Sequence, residues 1–165
     1  MDRSSQVIGV IEKNPGIKFR EIMRLTGMKN GVLSYYARKL EEKGFITVER
    51  SSRLTRFYPL GVDKKESVLM ANLRQETPKN ILLALLSKDS LTFNEIVVKV
   101  KRSQSTVSLY LTQLVQDGVV ESKYINLKRI FKVTDSELVQ KTINRYHPNL
   151  LESSADHLAD IFTSL

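Results

Sequence analysis

The chain has 165 residues, of which 41% are hydrophobic, and a formal net charge of +8 from 26 Lys and Arg against 18 Asp and Glu. That is one ordinary domain or two very small ones, with enough apolar content for globular cores and too much for wholesale disorder. The absence of cysteine excludes disulfides, thiolate metal sites and a cysteine nucleophile; His147 and His157 alone make no histidine-rich metal site, and the longest apolar run, Ile81–Leu86, is far below the roughly 18 residues of a membrane span.

The first helix is expected from Val7, Ile8, Val10 and Ile11, after Ser4 and Ser5 as caps, and Asn14-Pro15-Gly16 stops it. The same run, broken by Gly9, is too short for a secretory signal, so a cytoplasmic location is expected. Phe19, Ile22, Met23 and Leu25 predict a short second helix ended by Gly27. Val32, Leu33, Tyr36, Ala37 and Leu40 recur at helical spacing, with Gly44 as the C-terminal stop. Phe45–Glu49 and Thr55–Tyr58 are rich in β-formers, and residues 50–54 between them supply the turn of a hairpin.

Asp63-x-x-Glu66 is a capping box that opens a linker helix through Val68, Leu69 and Leu73, ending near Glu76. Thr77 as cap and Pro78 at the first helical position start the next helix, Ile81–Leu86. Thr92 and Glu95 form another capping box. Ser103 caps a helix through Val107, Tyr110, Leu111 and Leu114, stopped by Gly118, and Val119–Lys123 with Arg129–Val133 form a second hairpin. Two more helices are expected at about 135–146 and 149–163, separated by His147-Pro148.

A shift of 74 residues aligns 17–60 with 91–134 without a gap. Phe19/Phe93, Glu21/Glu95, Ile22/Ile96, Ser34/Ser108, Tyr36/Tyr110, Leu40/Leu114, Gly44/Gly118 and Phe57/Phe131 are identical. These pairs fall on core-type positions, so the unit is duplicated, and each copy must be nearly self-sufficient. The expected domains are 1–61, a linker helix 62–76, a second copy 77–134 and C-terminal helices 135–165.

Helix, short helix, turn, long helix and a two-stranded wing resemble the winged helix-turn-helix fold. The stretches that carry the resemblance are Phe19-Arg20-Glu21-Ile22 with Leu33 to Ile46, and Phe93-Asn94-Glu95-Ile96 with Ser103 to Leu114. They are similar to the recognition helices of MarR-like and ArsR-like prokaryotic regulators, and the tandem arrangement is similar to archaeal transcription regulators. ArsR-type metal sensing is not implied, because its cysteines are missing. The expected fold class is mainly α with small β wings (α+β): two tandem winged helix-turn-helix domains, a linker helix and C-terminal helices.

Charge points to the partner. Residues 1–74 hold 15 basic and 8 acidic side chains, residues 75–134 hold 9 and 5, and residues 135–165 hold 2 and 5. A basic end points to nucleic acid, and the winged helix-turn-helix resemblance implies double-stranded DNA. A recognition helix must bury one face and present short polar and basic groups on the other. In the first copy, recognition helix 29–43 offers Lys29, Asn30, Gly31, Ser34, Tyr35, Arg38 and Lys39. Asn30 suits adenine, Arg38 suits guanine, and Gly31 lets a phosphate approach the backbone. The wing, 49–57, adds Arg50, Arg53 and Arg56 for the minor groove or the backbone.

The second copy offers Gln104, Ser105, Thr106 and Ser108 on its helix and Lys128 and Arg129 on its wing, but Thr112 and Gln113 replace Arg38 and Lys39. Its wing is also apolar at Tyr124, Ile125 and Leu127. Direct DNA contact by this copy and a role in packing or dimerisation both remain open. Leu151, Ala155, Leu158, Phe162 and Leu165 are spaced 4, 3, 4, 3, which fits a homodimer seam or docking on the chain's own domain. No phosphate-binding glycine loop, catalytic triad or metal cluster is legible, so no enzymatic activity and no cofactor are expected. The leading function is a sequence-specific DNA-binding transcription regulator; the competing one is a tandem winged-helix module that binds protein. No small-molecule effector can be named.

Overall fold

The structure is a computed structural model that describes residues 2–51 and 54–146. Arg53, both histidines, the expected helix 149–163 and the 4-3-4-3 seam lie outside the described residues. The chain divides into two compact units, Met1–Ala71 and Asn72–Leu165.

In the first unit, α1 spans Arg3–Lys13. Its cap is Asp2, not Ser4 or Ser5: Asp2 Oδ1 accepts from the Ser5 backbone N–H at 2.8 Å. A carboxylate there satisfies an orphan donor and complements the helix dipole. Two residues, Ile17–Lys18, form β1, followed by α2 (Phe19–Thr26) and α3 (Asn30–Glu42). The wing strands are β2 (Ile46–Arg50) and β3 (Thr55–Pro59). The sheet is three-stranded in the order β1-β3-β2, with Ile17 opposite Phe57. So the expected two-stranded wing gains a third strand, too short for any alternation to be read.

The core of this unit is Val7, Ile11, Ile17, Ile22, Leu33, Ala37, Leu40, Ile46 and Phe57, all buried. Tyr36 packs half-buried against it. After α3 the chain must reverse into β2. Gly44 does this at φ +76°, and the Phe45 N–H donates to the Leu40 carbonyl at 2.9 Å.

α4 spans Lys64–Leu73, and Asp63 Oδ1 accepts from the Glu66 N–H at 2.8 Å, one half of the expected capping box. The helix stops at Leu73, short of Glu76, and the boundary between the units falls inside it.

The second unit repeats the pattern. α5 is Glu76–Ser87, β4 Leu91–Thr92, α6 Phe93–Val100, α7 Gln104–Gln116, β5 Val120–Ile125 and β6 Lys128–Val133, and α8 (Ser136–Tyr146) follows. α5 starts one residue before Thr77, with Gln75 at the cap and no side-chain capping bond. Pro78 then sits at the third helical position, which is tolerated because first-turn N–H groups have no intrahelical acceptor. Thr92 and Glu95 do form the expected reciprocal capping box, and Ser103 caps α7.

The 74-residue shift recurs in three dimensions. β1, α2 and α3 map onto β4, α6 and α7 residue for residue, and Ile17 opposite Phe57 becomes Leu91 opposite Phe131. Leu33/Val107, Leu40/Leu114 and Ile22/Ile96 are buried in both copies, and Gly118 reverses the chain at φ +75° as Gly44 does. The fold is mainly α with small antiparallel sheets, a tandem of winged helices.

The two wings end differently. Ile125 pairs with Lys128, so Asn126 and Leu127 alone make the second turn, at φ +50° and +68°. Positive φ at both central residues is the type I′ pattern, which favours Asn-Gly. Leucine in that conformation costs about 1–2 kcal/mol. Glycine removes this strain and adds about 0.5–1 kcal/mol of chain entropy to be lost on folding. Leu127→Gly should therefore hold or raise the thermal midpoint, and a clear fall by calorimetry would contradict this reading of the turn.

Candidate nucleic-acid interface

α3 buries Leu33, Ala37 and Leu40, and this fixes what its other side presents. Asn30, Gly31, Tyr35, Arg38 and Lys39 are exposed there, Ser34 is half-buried, and Lys29 is exposed at the cap position. Ser34 Oγ donates to Asn30 Oδ1 at 3.3 Å. The Lys39 ammonium lies 5.6 Å from the Tyr35 ring centre, and the Tyr35 ring meets Tyr36 edge-on at 5.2 Å. Such contacts restrict the aromatic ring and leave the charge outward. Tyr35, Arg38, Lys39 and Glu42 line an open hollow of about 430 Å³. Space is open around Gly31, where an added Cβ would meet nothing within 4 Å.

The helix start is open too. Lys29 makes no side-chain capping bond. First-turn backbone N–H groups without a side-chain acceptor favour an anion. α7 contrasts with this: Ser103 Oγ accepts from the Thr106 N–H at 3.2 Å and donates to Thr106 Oγ1 at 2.9 Å. Ser103 and Ser105 hydroxyls are also in hydrogen-bond contact at 3.2 Å.

The wing of the first copy differs from expectation. Arg56 is only 9% exposed, and its Nη1 donates to the Gly16 carbonyl at 2.9 Å. β3 is the central strand, with Lys18 on one side of Arg56 and Glu49 on the other. Arg56 is therefore a sheet residue and not a DNA-facing one. Arg50 is exposed, but its guanidinium is bidentate on Glu41, with Nη1 to Oε1 at 3.0 Å and Nη2 to Oε2 at 2.7 Å. These hydrogen bonds hold the Glu41 carboxyl below the usual carboxylate range and raise Arg50 further. Because the folded value of Glu41 is depressed, the pair adds stability above the ordinary carboxylate pKa and loses it as pH falls through the lowered one. The contribution is small, since the pair is solvent-exposed and screened.

Glu41 competes with any phosphate for Arg50. Glu41→Gln should tighten binding to duplex DNA at low salt and steepen the salt slope by about 1. A fluorescence-anisotropy titration at several salt concentrations checks this. Weaker binding by the variant would mean that Glu41 holds Arg50 in place for DNA.

In the second copy, Gln104, Ser105 and Ser108 are exposed and Thr106 is half-buried. Arg129 lies over the Phe131 ring at 4.9 Å and donates to Ser122 Oγ at 3.2 Å. A narrow cleft of about 60 Å³ brings Ser108 and Thr112 of α7 to the same place as Arg129 of the wing. Lys128 is exposed at the start of β6. Gln113 is half-buried, so only Thr112 presents fully at the position matching Arg38.

Arg20 and Arg24 are exposed one turn apart on α2 and were not among the expected residues. The signal for them was the fold itself, because the helix before a recognition helix crosses the DNA backbone.

Residues 2–47 match the family of winged helix-turn-helix DNA-binding domains. Residues 75–137 match the family described as sugar-specific transcriptional regulator TrmB. Each copy is thus similar to a segment of known DNA-binding or transcription-regulator families. Among solved structures, HlyU from Vibrio cholerae N16961 is 26% identical over 47% of this chain and 84% of its own, with a TM-score of 0.43. Reduced HlyU from the same organism is 25% identical over 50% of this chain and 88% of its own, also at 0.43. No curated protein matches the chain. No helix among the described residues is long and apolar enough to cross a membrane.

Proposed function

We propose that the protein is a sequence-specific regulator of transcription that binds double-stranded DNA in the cytoplasm as a homodimer, with the first winged helix as its main reader. The observation that carries this is the outer face of α3. Asn30, Gly31, Tyr35, Arg38 and Lys39 stand exposed together beside an uncapped helix start. Arg38 is assigned to a guanine edge and Asn30 to an adenine edge. Lys29, Lys39, Ser34 and Tyr35 are assigned to phosphate and sugar, with the open first turn beside Gly31. Arg50 reaches the backbone once Glu41 releases it.

In the second copy, Gln104, Ser105, Thr106 and Ser108 are weaker base readers, and Lys128 and Arg129 are backbone contacts. The 4-3-4-3 spacing of the C-terminal apolar residues supports pairing, which would present two α3 helices to half-sites about one helical turn apart.

Selection from a randomised duplex pool of about 30 base pairs, three helical turns, tests the proposal. A recovered consensus bound more tightly than bulk DNA is the expected result. Failure to bind any duplex at low salt would overturn it in favour of the protein-interaction reading.

A further inference from the structure

Leu127, at the tip of the second wing, is 98% exposed. It also sits at φ +68°, where leucine is a poor choice and glycine or asparagine a good one. An apolar side chain that gains nothing from the fold and strains the backbone is unexplained by the isolated chain. Tyr124 and Ile125 beside it are exposed as well. Basic residues flank these apolar groups along the hairpin, with Arg129 also lying over Phe131 and bonded to Ser122. Lys123, Lys128 and Arg129 are exposed, and no acidic residue lies between 122 and 131. The nearest acid in β5, Glu121, is paired with Lys132 at 3.1 Å.

That combination selects the occupant. A protein groove that accepts leucine does not call for three cations around it, and a second copy of this basic wing would repel. Duplex DNA meets both demands, because phosphates line the groove and the base stack offers an apolar slot. The last three pairs of the hairpin, Lys123/Ile130 to Ile125/Lys128, extend beyond the buried Phe131 by about 10 Å at the usual rise per residue.

We propose that Leu127 is an apolar wedge that enters the minor groove and partly unstacks one base step, bending the DNA, while Lys123, Lys128 and Arg129 hold the flanking phosphates. The inference rests on the DNA-binding reading above. It gives the second winged helix a role that needs no basic recognition helix: it deforms DNA where the first copy reads it. Flexible pyrimidine–purine steps unstack most easily, so the second copy would favour them without base hydrogen bonds.

The experiment uses the full chain and a duplex selected from the randomised pool, labelled at both ends for energy transfer. Wild type should shorten the end-to-end distance. Leu127→Gly keeps the turn, as argued from its backbone angles, and should bind about tenfold more weakly with most of the bend lost. Leu127→Phe should keep the bend. If no duplex is selected, the DNA reading itself fails. If Leu127→Gly binds and bends the selected duplex like wild type, DNA binding stands and the wedge is wrong. If the variant bends DNA normally but light scattering shows a lower oligomer than wild type, the tip is a contact between copies, and the wedge is again wrong.

Discussion

Affinity for duplex DNA should fall by roughly 10³–10⁵ between about 50 and 200 mM salt. The first copy exposes Arg20, Arg24, Lys29, Arg38 and Lys39 around α2 and α3, and the second adds Lys123, Lys128 and Arg129 on its wing. On the proposed pairing, two chains engaging a part of that set would neutralise about 6–10 phosphates, and each contact releases condensed counterions. Of the acidic groups near these residues, Glu41 is engaged with Arg50 and Glu121 with Lys132, while Glu42 shares the hollow on α3 with Arg38 and Lys39 and offsets part of their charge. A plot of log affinity against log salt gives the number of contacts directly. A slope shallower than about −3 would mean that phosphate contact is not the source of binding.

Arg38→Ala should cost about 1–3 kcal/mol of binding free energy and relax sequence preference at one position. Arg38 is exposed on α3, one turn beyond Ser34, and packs into no core, so the loss would be read as binding and not as unfolding. Thr112 stands at the matching place in α7 and is exposed beside Arg129. Thr112→Ala removes a neutral hydroxyl and should cost clearly less. Both variants, titrated against the selected duplex with thermal melts run alongside, decide the point. If Thr112→Ala costs as much as Arg38→Ala, both helices read bases and the asymmetry between copies is wrong.

Much of this was legible in the sequence because the duplication supplied a second reading of each element. Leu40/Leu114 mark the last buried turn and Gly44/Gly118 the chain reversal after the helix in both copies, so each copy checks the other. The two-residue strands β1 and β4 were not legible, since Ile17–Lys18 and Leu91–Thr92 are shorter than one period of alternation. That omission propagated to the site. In a two-stranded wing Arg56 would face solvent; with β1 alongside, it is enclosed and bonded to the Gly16 carbonyl. The Glu41–Arg50 pair was hidden for another reason. The two residues lie nine apart, on a helix and on a strand, and meet only because Gly44 folds β2 back along α3. Helix starts shifted by a few residues where Asp2 outcompeted Ser4 and Ser5 as cap, and where α5 tolerated Pro78 inside its first turn.

Amide chemical-shift mapping of the full chain with the selected duplex tests the central claim most directly. The largest perturbations should fall on residues 29–39 at the start and outer face of α3, with a second, smaller set at the wing tip around Leu127. Buried positions such as Ile22, Leu33 and Leu40 should move little. Perturbations that spare 29–39, or that cluster on the second unit alone, would contradict the assignment of the first winged helix as the reader.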